Sequence, residues 1–559
     1  MNNKKNIILE EYENEFLYKK SKTNLDIQFN RVAFIFFVFL MISIIYSIQL
    51  LHLGSLKSNV ETNSKPSIKN YRADIIDRNG NYLVKTVSSI DIGISPIEVI
   101  DKQKLLINLK WIFPKKDYAE VEKKLDKNNF FKFEKTISSI NYQKIMSLGD
   151  KAIRPEEKLT RIYPQKNLFS HIIGQIDNEN NGISGLEKSF DEELKQRNKP
   201  LQLTVDADIQ FLIRKELSKY QKIFDAKGAA AILMNVNNGE ILSMVSLPDF
   251  DLNKRETIVD VNYINRVTKG TYELGSVFKT FTIASGINHG LIEPETKFLD
   301  SKKSINCGDG YTINEYDNKM PSDLSVENIL VKSGNIGSVR IARKIGVEKH
   351  KSFLETIGIL DKISFDIDEV GKPLKIDWNE GCKIETIAFG HGITTTILQL
   401  AKGYAIISNG GYEITPTLIK DNTNKKKKRL KVLSNDVSKK MNIMMRKVVS
   451  EGTAKLVNVE GYQVGGKTGT AEQVSNSIYS KTKINTLASI FPTDSPKFVL
   501  VVMLESTKNN KNYTYEYRDG SGFKLLGSPR NTAGWTSVEA AGKIIDKIGP
   551  ILATKYIEN

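Results

Sequence analysis

Three short stretches hold side chains that could perform acyl transfer together. The first, Leu274-Gly275-Ser276-Val277-Phe278-Lys279-Thr280-Phe281, sets a serine three residues before a lysine at the head of an apolar run. Residues three apart on a helix share a face, so Lys279 sits over Ser276 while its stem lies among apolar neighbours. Desolvation disfavours a charged amine, and a neutral amine beside a hydroxyl is a base beside a latent nucleophile. The second stretch is Ser333-Gly334-Asn335 and the third Lys467-Thr468-Gly469-Thr470. Attack on a peptide carbonyl needs a deprotonated hydroxyl, donors for the oxyanion and a proton route to the leaving amine. In that scheme Ser276 is the nucleophile, Lys279 the base, Ser333 the relay to the departing nitrogen, and Asn335 holds the substrate peptide. Lys467 supplies positive charge for a substrate carboxylate, with the Thr468 and Thr470 hydroxyls beside it. Gly469 lets a strand edge approach the substrate backbone without a Cβ in the way. The backbone N–H groups of Ser276 and Thr470 would form the oxyanion hole. Singly, such stretches are most often a surface pair, a turn and a loop. Occurring in this order, they point to one site.

The elements that must position these groups are legible as patterns. Leu274, Phe278, Phe281, Ala284 and Ile287 recur at helical spacing until Gly290, which places Ser276 in the first turn of a helix. Apolar runs at 228–236 and 240–245 flank Asn237-Asn238-Gly239, a hairpin with an Asn-Gly turn. A second hairpin joins 485–491 to 498–504 around Pro492 and Pro496, and 537–552 reads as an amphipathic helix. Helical patterns fill 326–358 and 394–408. Strands at both ends with helices between predict an α+β fold: one antiparallel sheet, built from N- and C-terminal hairpins and flanked by helices. Upstream, Asp77-Arg78-Asn79-Gly80 is a hairpin turn, and the segment to about 200 alternates short strands with charged helices. It offers no nucleophile or ligand cluster, so a structural or partner-binding module is expected there.

The chain has 559 residues, enough for about three domains. Its formal charge is +16, spread through a Lys-, Asn- and Ile-rich sequence; the dense run at 425–429 reads as a solvated hairpin loop. No basic face with interleaved aromatics is present, which argues against nucleic acid. With five His and two Cys, neither in a CxxC pair, no zinc site can be read and no metal or cofactor is expected. Whether Cys307 and Cys382 pair is left open. Residues 32–53, VAFIFFVFLMISIIYSIQLLHL, carry no Asp, Glu, Lys or Arg and would span roughly 33 Å as a helix, enough to cross a bilayer core. No small-x-small cleavage site follows, so the segment is expected to be a membrane anchor. Flanking lysines and arginines are balanced and leave its orientation open.

Ser-x-x-Lys, Ser-x-Asn and Lys-Thr-Gly in this order form the signature of penicillin-recognising acyltransferases. The chain resembles a class B penicillin-binding protein over nearly everything after residue 30. Asp77-Arg78-Asn79-Gly80, Arg161-Ile162-Tyr163-Pro164 and Gly185-Leu186-Glu187 are similar to that family's pedestal motifs. Phe389-Gly390-His391-Gly392-Ile393, Gln399-Leu400-Ala401 and Gly452-Thr453-Ala454 are similar to stretches before its last motif. It departs from the pattern at Leu274, Gly334 and Ile397, none of which is a catalytic group. The resemblance implies a cytoplasmic tail (1–31), one span of the bacterial inner membrane (32–53), a pedestal (54–200) and a periplasmic transpeptidase domain (201–555). It also implies the reaction: Ser276 is acylated by the penultimate D-Ala of a D-Ala-D-Ala stem peptide, D-Ala leaves, and a neighbouring stem's amine attacks. Tyr272-Glu273-Leu274 and Ser246-Leu247-Pro248-Asp249 look more like the division-specific, septal branch than the elongation branch. A SEDS-family glycosyltransferase and divisome proteins are the implied partners. A β-lactamase would want a Glu-x-x-x-Asn deacylation base, and 369–373 holds no such Asn. A catalytically silent division scaffold would not need the intact motif side chains.

Overall fold

A computed structural model describes residues 24–55, 71–254, 260–307, 310–421, 429–475, 478–518 and 520–557. Most of the 1–31 tail, most of the 54–70 stalk and the lysines of the 425–429 run lie outside them. Two compact units result, divided at residues 69 and 70. The first contains one helix, α1 (Asn24–Ser55), which begins eight residues ahead of the apolar stretch expected at 32–53. Its segment Arg31–Leu51 has a mean hydropathy of 2.5 and no residue buried against protein. A segment this long and apolar, exposed from Arg31 to Leu51, is consistent with a single-pass membrane anchor.

The second unit opens with a mixed sheet. Strand β1 (Ile75–Ile76) turns back into β2 (Tyr82–Ile94), which pairs with β3 (Phe131–Glu134) and along its length with β4 (Ile153–Ile162). Strand β5 (Leu201–Gln202) runs parallel to β1. The 77–80 turn closes as its composition predicts: the Asp77 carboxylate accepts from the N–H groups of Asn79 (2.9 Å) and Asn81 (2.8 Å), and Gly80 takes φ +88°. Behind β1 lies a buried ion cluster. The Glu187 carboxylate accepts from Arg72 Nε at 2.5 Å and Arg161 Nε at 2.8 Å, and Arg72 also meets Asp191 at 2.6 Å.

Then follow α2 (Ala207–Ile223), the hairpin β6 (Gly228–Asn235) and β7 (Ile241–Leu247), and α3 (Lys279–Asn288). Further on come α4 (Val326–Lys332), α5 (Asn335–Ile345), α6 (Ile397–Ser408) and α7 (Asn435–Ser450). The chain closes with β8 (Gly465–Ser475), β9 (Ile478–Phe491), β10 (Phe498–Glu505) and α8 (Ser537–Leu552). The sheet order is β8-β9-β10-β6-β7, antiparallel throughout, so the two hairpins meet at the β10–β6 pairing. All side chains from Phe498 to Leu504 are buried, because α6 and α8 both pack on β10 and cover both faces. The expected hairpins and the 537–552 helix are present; the 326–358 pattern is instead three helices. It breaks where Ser333 takes φ +61° and Gly346 takes φ +82°, conformations no helix can continue through.

Candidate active site

Ser276 lies on a single 3₁₀ turn, Gly275–Phe278, and α3 begins only at Lys279. Residues three apart still share a face on this tighter turn, while the hydrogen bonds of the Lys279 amine run to Ser333 and Asn335 across the site. Glycines wedge the turn into place. A Cβ on Gly390 would lie 2.0 Å from the Gly275 carbonyl oxygen, and one on Gly469 would lie 2.1 Å from that of Leu274. Gly275 itself needs φ +61°, with Thr470 of β8 against it. The bare Cα of Gly469 therefore faces the nucleophile's own turn and holds β8 flush against it.

Lys279 is fully buried, and its Nζ donates to the Ser333 carbonyl (2.5 Å), to Asn335 Oδ1 (2.7 Å) and, more loosely, to Ser333 Oγ (3.3 Å). Burial pulls its pKa down to about 7, with the Glu315 charge acting in the opposite sense. Ser333 is the left-handed C-cap of α4, and Asn335 is the first residue of α5, so one short break between helices aims both at the lysine. From the other side Lys467 Nζ donates to Ser333 Oγ at 2.9 Å and to the Thr468 carbonyl at 3.0 Å. Ser333 Oγ thus bridges two buried amines. Burial, with Lys279 beside it, holds Lys467 well below the usual lysine range. The Thr468 hydroxyl is shared with Thr453 Oγ1 at 2.8 Å, and Thr470 Oγ1 accepts from the Ala533 N–H at 3.0 Å.

These groups open on a cleft of about 710 Å³ lined by Ser276, Ser333, Asn335, Thr468 and Thr470, with Tyr316, Arg530 and Trp535 among its other walls. Strand β8 is the sheet's edge and pairs on one side only, which leaves its outer edge open to an extended peptide. All eight residues singled out in the sequence therefore lie on the same nucleophile turn, helix break and edge strand. Among the described residues no cluster of His, Cys, Asp and Glu fit to hold a metal occurs. Two features go beyond the sequence reading, which left the cysteine pairing open and did not single out Glu315. Cys307 and Cys382 are joined in a disulfide. Glu315 caps α5 by accepting from the N–H groups of Asn335 (2.8 Å) and Ile336 (2.9 Å). A cap supplied from 20 residues upstream leaves no local pattern to find.

The two motif glycines are expected to behave oppositely. Gly469→Ala drives a methyl into the Leu274 carbonyl and is expected to cost about 1–3 kcal/mol and to disturb the Ser276 turn. At Gly334 the backbone is φ −64°, ψ 128°, and a Cβ would meet nothing closer than 3.6 Å. Gly334→Ala is therefore expected to be neutral or stabilising by up to about 1 kcal/mol. Thermal melting of the two variants checks the contrast.

Residues 229–520 match the penicillin binding protein transpeptidase domain, and residues 67–223 match the penicillin-binding protein dimerisation domain. The probable peptidoglycan D,D-transpeptidase FtsI of Caulobacter vibrioides is 29% identical over 503 residues, covering 87% of this chain and 82% of the relative. The peptidoglycan D,D-transpeptidase FtsI of Buchnera aphidicola is 27% identical, covering 83% of this chain and 86% of the relative. Among solved structures, penicillin-binding protein 3 of Mycobacterium tuberculosis shares the fold, with a TM-score of 0.64 at 22% identity over 86% of this chain and 96% of that one. The order of the motifs, the two matched domains and their joint presence in one chain lead to one family: this protein belongs to the class B penicillin-binding proteins, serine D,D-transpeptidases that act on peptidoglycan.

Proposed function

We propose that the chain cross-links peptidoglycan stem peptides at the division septum through an acyl-enzyme on Ser276. The observation that carries this reading is the convergence of Lys279, Lys467 and Asn335 about Ser333, beside the turn that holds Ser276. Lys279, neutral in part near pH 7, takes the Ser276 proton as Oγ bonds to the carbonyl carbon of the penultimate D-Ala. The N–H groups of Ser276 and Thr470 receive the oxyanion. The C–N bond then breaks, and a proton passes by way of Ser333 Oγ to the leaving D-Ala amine. The amine of a second stem attacks the ester and forms the new C–N bond, its proton passes through Lys279 to Ser276 Oγ as the C–O bond breaks, and the Ser276 hydroxyl is restored. Asn335 orients the peptide. Lys467, Thr468 and Thr470 bind the terminal carboxylate, whose arrival favours the charged form of Lys467; Gly469 keeps β8 in reach.

In this reading the apolar helix crosses the bacterial inner membrane once, with residues before it in the cytoplasm and residues 54–200 and 201–555 in the periplasm. Cross-linking needs a partner that polymerises glycan, here a SEDS-family glycosyltransferase, together with divisome proteins. The septal assignment is supported by the FtsI names of the two relatives above. Depletion in cells decides it: filaments with blocked septa are expected, and rounded cells would assign the chain to elongation.

A further inference from the structure

Glu315 stands outside the cleft lining and outside every motif, half-buried at the end of a small hairpin. Its carboxylate accepts from the N–H groups of Asn335 and Ile336, the first two residues of α5. Asn335 is held at a third point, its Nδ2 donating to the Asn314 carbonyl at 2.9 Å, while its Oδ1 accepts from Lys279. The hairpin, Ser304–Asn306 with Thr312–Asn314, is itself anchored: Glu315 N–H donates to the Lys303 carbonyl at 2.9 Å, and Cys307 is bonded to Cys382. Cys382 precedes a helix, Lys383–Ile387, that leads to Gly390, which lies against Gly275 of the nucleophile turn. One covalently stapled loop therefore touches both halves of the site.

We propose that Glu315 is a positioning residue of the acyl-transfer site, fixing Asn335 at the start of α5 and setting the charge environment of the Lys279 amine. The inference rests on the reading of Ser276 and Lys279 as nucleophile and base. The charged or titratable groups that act electrostatically with Lys279 are Glu315, Lys467 and His391. Of these Glu315 alone carries negative charge, and it opposes the desolvation that would otherwise make Lys279 a weaker base. A base works best when its pKa lies near the working pH, so the carboxylate keeps the amine strong enough to take a proton.

The test is the second-order rate constant for acylation of the full-length protein by a fluorescent penicillin, measured from about pH 5 to about pH 9. The rate rises as Lys279 loses its proton. Glu315→Gln keeps one acceptor oxygen but no charge, and is expected to move this acidic limb down by about one pH unit and to lower the plateau. Glu315→Asp keeps the charge on a shorter arm, and is expected to lower the plateau with the limb in place. A Glu315→Gln profile that superposes on the wild type after scaling overturns the proposal. So does a limb in Glu315→Asp that moves as far as in Glu315→Gln. If Glu315→Gln does not fold, Glu315→Asp against wild type decides: a lowered plateau with an unmoved limb supports the proposal, and a shifted limb or a profile that superposes on the wild type without scaling refutes it. Wild-type protein that takes no label, or Ser276→Ala protein that takes as much, refutes the nucleophile reading itself and is seen before either variant is made.

Discussion

Lys279→Ala is expected to slow acylation of Ser276 by at least about 10²–10⁴-fold, the contribution of a well-placed general base. The amine is fully buried, with a pKa drawn down to about 7, so near neutral pH a large share is ready to accept a proton. Lys279→Arg gives the sharper contrast. A guanidinium keeps its proton at any accessible pH and cannot act as a base, yet it retains length and charge. If Lys279 only anchored Ser333 and Asn335 electrostatically, arginine would restore much of the rate; as the base, it is expected to be as slow as alanine. Alanine also leaves the Ser333 carbonyl and Asn335 Oδ1 without their shared donor, at about 1–3 kcal/mol for each buried group left unpaired. Labelling rates are therefore to be read beside melting curves, with both variants compared well below their melting temperatures. Arginine that labels at a near-wild-type rate would remove Lys279 from the role of base.

The largest loss of stability is expected far from the chemistry, at Glu187. Its carboxylate is fully buried between Arg72 and Arg161, and Arg72 is buried as well. Glu187→Ala leaves two guanidinium groups facing a cavity, with Asp191 remaining as a partner for Arg72. Breaking one partner out of a buried ion cluster costs about 3–5 kcal/mol, because the charges left behind stay desolvated. Replacing Arg72, Arg161 and Glu187 together by apolar residues of similar volume is expected to cost much less, since Asp191, which then loses Arg72, keeps Lys195 at 2.6 Å and no fully buried charge is stranded. Chemical denaturation of the single and triple variants measures both values. A single variant within about 1 kcal/mol of wild type would mean that water or rearrangement compensates the cluster.

What the sequence revealed and what it concealed divide by range. Ser276 and Lys279 are three residues apart, and the hairpin turns at 237–239 and 77–80 are written in four or five consecutive residues, so local patterns sufficed. The antiparallel sheet followed from hairpins at both ends of the catalytic region. The 3₁₀ form of the Ser276 turn was hidden, because it is imposed by Gly390 and Gly469 arriving from elsewhere in the chain. The break at Ser333 was also hidden: serine has no intrinsic preference for a left-handed backbone, and the conformation is held by surrounding contacts. The bridging of Lys467 and Lys279 through Ser333 Oγ joins residues 134 and 54 positions apart, and the Glu187 cluster joins residues 115 and 26 apart. The motif residues could thus be named without the structure, whereas Glu315 and the disulfide required it.

Formation of an acyl-enzyme on Ser276 is open to direct measurement by mass. Full-length protein is incubated with a penicillin, and the intact mass and the labelled peptide are determined for wild type and for Ser276→Ala. One added penicilloyl group is expected on wild type, borne by the peptide containing Ser276, and none on Ser276→Ala. A wild-type chain of unchanged mass, or an adduct of equal yield on Ser276→Ala, would contradict it.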